Sequence, residues 1–401
     1  MILSELPELA LKKGADRRLH HGHLWVFSNE VDTAATPLTG FQPGDLARLL
    51  DYRRQPLGTA YVNPASLISA RVLTRDNHTA IDHAFLARRI KAAWQLRQRC
   101  YPAPYYRLVY GDSDGLPGLV VDRYGDVLAV QSSTAGMDRL LDKIVAVLEE
   151  LLQPRAVVLK NTSGLRRLEG LTEETRIVSG TLQEPVEIQE NGARFQVDLV
   201  GGQKTGWFYD HRDNRRDLAA LCQGKRVLDL FSYSGAWGVT AAVHGAKEVV
   251  CVDSSASALA LVESNAALNG MADTVSTIAC DVFDFLKQAR ETKDRFDVVV
   301  LDPPALIKRK KDLKTGSEAY YRLNQAAMQI LNYDGILASA SCSHHLARDT
   351  LQEILRAGAR HVDRHLLILK TGGHAADHPI HPAIPETEYL KAFLCHVTAS
   401  L

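Results

Sequence analysis

The 401-residue chain has six cysteines, at positions 100, 222, 251, 280, 342 and 395, and not one CxxC pair. That spacing excludes a cysteine zinc site and gives no disulfide framework, so free thiols in a reducing compartment are expected. No apolar run approaches the ~18 residues that a membrane-spanning helix requires. The basic N-terminal stretch is followed by no apolar segment of the kind that makes a signal peptide. A cytoplasmic protein with no membrane partner is the expectation. Net charge is missing too, since 47 Lys and Arg balance 47 Asp and Glu. The balance is uneven along the chain. Residues 1–109 hold 15 Lys and Arg against 9 Asp and Glu, leaving the remainder acidic. A basic first quarter on an acidic remainder suits an RNA-holding module fused to an enzyme, and equally an arginine-rich solvated surface.

Several motifs are absent in an informative way. Gly201-Gly202-Gln203-Lys204-Thr205-Gly206 has the glycines of a phosphate cradle but not the GxxxxGK[ST] order, so a P-loop is excluded. Asp112-Ser113-Asp114-Gly115 places its glycine too early for a calcium loop and has no acid at the twelfth position, so it reads as a turn. His374, His378 and His381 lack the spacing of metal ligands and read as structural; no metal is expected.

What is present divides into three parts. Residues 1–75 read as short strands broken by turns such as Gln42-Pro43-Gly44-Asp45 and Gln55-Pro56-Leu57-Gly58, the pattern of a small β-barrel. Residues 76–185 read as a small α+β domain. It has a helix over about Asp82–Arg99 with arginines on one face, and a hairpin at Tyr124-Gly125-Asp126. A second helix over about Met137–Leu152 is followed by a strand at Ala156–Lys160. From 186 to 401, strands and helices alternate, which predicts a doubly wound α/β, Rossmann-like sheet. Its strands are expected at Arg226–Leu230, Glu248–Val252, Val275–Ala279, Asp297–Leu301 and Ile336–Ser341, with a helix over Ser255–Asn269 capped by Ser254. Cys251 and Cys280 fall in or beside apolar strands and are expected to be buried packing residues.

In such a sheet, ligands bind outside the carboxyl ends of the strands. The residues there are Asp229, Asp253, Asp281, Asp302 and Cys342, all polar or reactive. Asp229-Leu230-Phe231-Ser232-Tyr233-Ser234-Gly235 is a strand, a tight loop and a helix start without the first glycine of a dinucleotide fingerprint. An acid in place of that glycine favours a ligand with a cationic amino-acid end and no pyrophosphate, as in S-adenosylmethionine. Phe231, Tyr233, Ser234 and Gly235 would form the cofactor loop. Asp253 suits the ribose hydroxyls and Asp281 the adenine edge. Lys204, Asp210 or Arg212 would reach the methionine end, with a plain hairpin turn as the equal alternative.

Cys342, in Ser341-Cys342-Ser343, and Asp302, in Asp302-Pro303-Pro304, end neighbouring strands. A thiolate added to C6 of a pyrimidine makes C5 nucleophilic enough to take a methyl group. Asp302 could bind the ring at N3 or N4 and assist by donating or sharing a proton. The competing chemistry, methylation of an exocyclic amine, needs an aromatic residue after the prolines; Ala305 stands there and cannot stack. Lys308-Arg309-Lys310-Lys311 follows the same loop and suits RNA phosphates.

The chain resembles the large-subunit ribosomal RNA cytosine-C5 methyltransferase I family over nearly its whole length. The likeness rests on Gly22-His23-Leu24-Trp25-Val26-Phe27-Ser28, Gly111-Asp112-Ser113-Asp114-Gly115-Leu116-Pro117-Gly118 and Asp122-Arg123-Tyr124-Gly125. It extends to Gln203-Lys204-Thr205-Gly206, Phe231-Ser232-Tyr233-Ser234-Gly235, Asp302-Pro303-Pro304, Ser341-Cys342-Ser343 and Ala375-Ala376-Asp377-His378-Pro379. It implies a PUA RNA-binding domain, a small middle domain and a class I methyltransferase domain. It further implies S-adenosylmethionine as cofactor, a cytosine of 23S rRNA as substrate and Cys342 as nucleophile. A homodimer is compatible with it. Other RNA cytosine-C5 methyltransferases carry a second cysteine where this chain has Ala305, so the base that removes the C5 proton is unassigned. Two alternatives stay open: an exocyclic-amine or guanine RNA methyltransferase of the same architecture, and a non-catalytic RNA-binding or ribosome-assembly factor.

Overall fold

A computed structural model describes residues 6–202 and 204–400. They form two compact units, and the chain passes between them more than once. The first unit comprises residues up to Val186, Asp198–Trp207 and Ala376–Thr387. The second comprises Glu187–Val197, Phe208–Ala375 and the residues from Glu388 on.

The first unit holds two five-stranded sheets. Strands β1 (Glu8–Ala10), β2 (Trp25–Phe27), β3 (Asp45–Leu50), β4 (Pro56–Val62) and β5 (Ile68–Thr74) pair in the order β1-β3-β4-β5-β2. Alternation sorts their side chains: Ala47, Leu49, Ala60, Val62, Ala70 and Val72 are buried together, while Arg48 points outward into an ion pair with Glu8. The second sheet orders β6 (Tyr105–Tyr110), β7 (Leu119–Tyr124), β8 (Val127–Ser132), β9 (Ala156–Asn161) and β10 (Glu174–Gly180) as β10-β9-β8-β7-β6. The parallel β8–β9 pair is bridged by helix α2 (Leu141–Leu152), which packs with α1 (His83–Cys100) through Phe85, Leu86, Ile90, Ile144 and Leu148.

Two expectations change here. The helix foreseen over Met137–Leu152 is two helices, Ala135–Arg139 and Leu141–Leu152, which meet at Leu140 (φ −93°, ψ 0°). The arginines of α1 do not share one face. Arg97 is fully buried and makes a bidentate pair with Asp114, at 2.7 and 2.8 Å. The Gly111–Asp114 turn therefore supplies the counter-charge for a buried guanidinium, a pairing that a charge buried in low dielectric requires. The same guanidinium donates to Asp377 O at 2.8 Å. The Asp377 carboxylate accepts from Arg107 N at 2.9 Å, and Tyr110 Oη donates to Thr387 O at 2.8 Å, so residues 376–387 complete this unit's polar interior. His378 faces Asp377 at 2.8 Å within the same cluster.

The second unit opens with strands β11 (Val186–Glu190) and β12 (Ala193–Val197), which form a hairpin. It is built on β13 (Arg226–Leu230), β14 (Glu248–Asp253), β15 (Val275–Ala279), β16 (Phe296–Leu301), β17 (Leu331–Ser341), β18 (Arg364–Gly372) and β19 (Lys391–Ala399). Their order is β15-β14-β13-β16-β17-β19-β18, parallel from β15 to β17, with β19 antiparallel to both neighbours. Helices α3 (Arg212–Ala219), α4 (Ala236–Val243), α5 (Ala256–Leu268), α6 (Val282–Glu291), α7 (Leu313–Ile330) and α8 (Arg348–His361) cover it. Coverage on both faces is why Val298-Val299-Val300-Leu301 is an unbroken apolar run, buried at every position.

Helix α5 is capped by Ser255, whose hydroxyl accepts from Ala258 N at 3.2 Å, rather than by the expected Ser254. Asp253 takes the Ser255 amide at 2.9 Å and carries the extended backbone one residue further. Cys251 is buried as expected. Cys280 is partly exposed, because it follows the edge strand β15.

Candidate active site

The sheet order reverses beside β13: the chain proceeds outward through β14 and β15, then returns to β16 and β17 on the other side. The carboxyl ends of β13 and β16 thus flank the crevice where an open α/β sheet takes its ligand. Asp229 is the penultimate residue of β13 and Asp253 the last of β14. Asp302 directly follows β16, and Cys342 directly follows β17. Asp281 stands two residues beyond β15 as the N-cap of α6, accepting from Phe283 N at 2.8 Å.

After β13 the backbone turns through two non-glycine residues in the left-handed region, Phe231 (φ 62°) and Tyr233 (φ 48°), before Gly235 (φ 77°). Such geometry costs free energy and clusters at ligand sites. The loop is held by Asp253, which accepts from Tyr233 N at 3.0 Å, and by Asn265, which donates to Ser234 O at 3.0 Å. Gly238, in the first turn of α4, could not carry a side chain: a Cβ would lie 2.6 Å from Cys251 Sγ and 3.1 Å from Asp229 Oδ2. This close approach lets Gly238 N donate to Asp229 Oδ2 at 2.9 Å.

Asp229 is fully buried, and burial pushes its carboxyl up to about 8. The Gly238 hydrogen bond opposes that rise, while the charges of Asp302 and Asp253 add to it. Its Oδ1, together with Ser232 Oγ and Ser234 Oγ, is buried with no hydrogen-bond partner among the described residues. An acid and two hydroxyls left with unused acceptor capacity beside a strained loop fit the cationic amino-acid end of S-adenosylmethionine.

Asp302 is held on both oxygens. Trp237 Nε1 donates to Oδ2 at 3.0 Å, and His211 Nε2 lies 3.2 Å from Oδ1. Burial alone would raise this carboxyl, but the His211 charge and the two hydrogen bonds outweigh it and hold it below the usual carboxylate range. Reciprocally, His211 is raised: Asp302 overcomes the burial that would keep the imidazole neutral. Each partner thus favours the charged form of the other.

Cys342 is half-buried, with Sγ 3.9 Å from Pro303 O, so the thiol meets the Asp-Pro-Pro loop. Its neighbours are fixed from below. Ser341 Oγ donates to Tyr320 Oη at 2.8 Å, Tyr320 Oη lies 3.0 Å from Ser343 Oγ, and Ser343 Oγ accepts from Ile307 N at 3.1 Å. Both serines therefore point into the protein and the intervening thiol points the other way.

Asp210 is buried and accepts from Tyr389 Oη at 2.6 Å. Arg212, offered as an alternative beside it, is instead committed to Glu190 at 3.3 Å, where Arg215 also pairs at 2.6 Å. Lys204 belongs to the first unit, exposed at φ 48°. Lys308, Arg309, Lys310 and Lys311 are all exposed, with Arg309 bound to Asp312 at 3.3 Å. Sequence reasoning did not single out His211, Trp237, Tyr320 or Lys391. His211 had a signal in its position beside Asp210; Trp237 lay in the quoted loop without a role. The others had none, since their contacts come from distant strands.

A family model described as a PUA-like domain matches residues 9–75, and one described as an S-adenosylmethionine-dependent methyltransferase matches residues 149–369. Curated proteins named ribosomal RNA large subunit methyltransferase I are similar over almost the whole chain. The one from Cronobacter sakazakii is 36% identical, over 97% of this chain and 99% of its own. The one from Aeromonas hydrophila is 38% identical, over 96% and 98%. Two solved structures share the fold. A protein described as a methyltransferase complexed with SAH gives a TM-score of 0.84 at 22% identity, over 98% of this chain and 100% of its own. A protein from Streptococcus mutans described as a SAM-dependent methyltransferase gives 0.82 at 21%, over the same shares.

Proposed function

The chain belongs to the ribosomal RNA large subunit methyltransferase I family, and from that premise we propose that it methylates C5 of a cytosine in 23S ribosomal RNA through a thiolate adduct at C6. The observation that carries this reading is the meeting of the Cys342 thiol with the Asp302-Pro303-Pro304 loop at Pro303 O. The methyltransferase domain uses S-adenosylmethionine, which supplies an electrophilic methyl group.

Cys342 forms the bond to C6, and the displaced ring electrons make C5 enamine-like. After methyl transfer, loss of the C5 proton expels the thiolate. Asp302, held ionised by His211 and Trp237, acts as acceptor rather than donor. Its oxygens suit the N4 amine of cytosine; uracil has no donor at that position, so the same carboxylate favours cytosine over uracil. Asp229, Ser232 and Ser234 bind the amino-acid end of the cofactor and Asp253 its ribose, with Phe231, Tyr233 and Gly235 shaping the loop. Asp281 lies at the adenine end, and Asp210 at the methionine end. Lys308–Lys311 and the PUA-like domain hold RNA phosphates, each contact adding salt-dependent affinity.

The test is covalent trapping. RNA carrying 5-fluorocytosine cannot lose a C5 proton, so wild-type protein with S-adenosylmethionine should form an adduct stable to denaturation, and Cys342→Ala should form none. Methyl transfer at full rate by Cys342→Ala, or methyl groups recovered on an exocyclic nitrogen, would reject the mechanism.

A further inference from the structure

Lysine is among the side chains least often buried without an ionic partner. Lys391 is 4% exposed. It opens β19, and its register partner across the ladder is Ser341, the residue before Cys342. Its Nζ donates to Ser343 O at 2.6 Å and to Tyr389 O at 2.8 Å, both uncharged acceptors. Arg348 and Glu388 also act on it, but they pair with each other at 3.1 Å, which leaves little net charge from either. Near the thiol, Tyr320 is already bound to both flanking serines, Asp302 heads the loop that the thiol meets, and the exposed His344 ring lies 6.1 Å from that of Tyr389. Two carbonyls and no carboxylate thus receive a buried ammonium whose field falls on Cys342.

We propose that Lys391 is a positioning residue whose fixed ammonium stabilises Cys342 as a thiolate and so prepares it to attack the pyrimidine. This deepens the mechanism above and rests on Cys342 being its nucleophile. The need is physical: a free thiol, with a pKa of ~8.5, is only a few per cent ionised at neutral pH. The nearby Pro303 carbonyl favours the protonated form, because it can accept from S–H but not bind a thiolate. On ionisation the S–H electron pair stays on sulfur and the proton leaves to solvent, which reaches the half-buried thiol. The ammonium then supplies the counter-charge until the pair forms the C–S bond. Burial chiefly lowers Lys391, to about 8, and the Cys342 charge pulls it back upward, so the lysine is still mainly charged at pH 7.

The test is the rate of iodoacetamide alkylation against pH, resolved by cysteine with mass spectrometry, with exposed Cys100 as internal reference. In wild type, Cys342 should titrate below the free-thiol value. In Lys391→Met its midpoint should rise by about one unit, slowing alkylation at pH 7 by ~10-fold. Lys391→Arg should retain most of the wild-type rate, and Cys100 should react alike in all three. The pH–rate profile for methyl transfer should move with the alkylation midpoint. A Cys342 midpoint identical in wild type and Lys391→Met overturns the proposal. So does a wild-type Cys342 that titrates at or above ~8.5, a measurement that requires no variant to fold. A lowered midpoint in a protein whose Cys342→Ala form still methylates RNA would reject the cysteine mechanism while leaving this pairing intact.

Discussion

Replacing Asp229 with Asn tests the electrostatics of the cofactor loop most directly. The carboxyl is fully buried and pushed up to about 8, chiefly by burial. An unfolded aspartate titrates near 3.9. Because the folded value is raised, this group's contribution to stability is complete below the unfolded value and is lost as pH rises to about 8. In that window the native state binds the extra proton, and stability falls by about 1.4 kcal/mol per pH unit. Asn keeps the shape and can still accept from Gly238 N, but it has no proton to lose. Between pH 5 and pH 8 the wild type should therefore lose about 4 kcal/mol of unfolding free energy relative to Asp229→Asn. Denaturant titrations of both proteins at several pH values measure it. Cofactor binding gives an independent readout. A cationic ligand favours the ionised carboxylate, so binding at pH 7 should release about 0.9 proton from a site titrating near 8, and none from Asp229→Asn. Calorimetry in buffers of different ionisation enthalpy counts those protons. Parallel stability curves together with equal proton release would refute the assignment of a buried neutral acid here.

Three further perturbations follow from the geometry. Asp114→Ala strands the buried Arg97 guanidinium and should cost about 3–5 kcal/mol of stability, read as a lowered melting temperature; an unchanged melt would show that the pair is solvated. In Asp302→Asn, His211 keeps the burial and the Arg215 charge that lower it and only the Asp210 charge that raises it, so its imidazole midpoint by NMR should drop; a midpoint that stays put would reject the pairing. Converting Lys308, Arg309, Lys310 and Lys311 to Ala should weaken RNA binding and flatten its salt dependence by roughly 0.7–0.9 for each phosphate no longer neutralised, while cofactor affinity stays unchanged. An unaltered salt slope would assign the run to solvent alone.

Strand ends of the methyltransferase sheet are legible where an apolar run stops at a polar residue, as Val249–Val252 does at Asp253 and Val298–Leu301 at Asp302, and such a run is a product of burial on both faces. Asp229, Asp253, Asp302 and Cys342 needed no tertiary information to be found at those ends. What lies behind them was hidden. His211 and Trp237 reach Asp302 from 91 and 65 residues away, and nothing in their local pattern marks that contact. Lys391 stands opposite Ser341 only through the antiparallel register of β19 on β17, which no period in either strand specifies. Arg97 was misread for the opposite reason. Its neighbours Arg88 and Arg99 are exposed, and a helix pattern cannot tell a solvated arginine from one with a buried acid waiting in the next turn of chain. Ser254 and Ser255 were indistinguishable as caps until Asp253 was seen to hold the backbone between them.

The return of residues 376–387 to the first unit bears on how the protein is made. Domains of a nascent chain generally mature in order of emergence from the ribosome. Here Arg97, Arg107 and Tyr110 are translated early, yet their acceptors at Asp377 and Thr387 arrive only after nearly the whole methyltransferase sheet has been synthesised. The first unit is therefore sealed only after six of the seven strands of the methyltransferase sheet, β13 to β18, have been made, and only β19 follows it. A gene fragment ending near residue 185 would leave its ribosome with those donors still waiting.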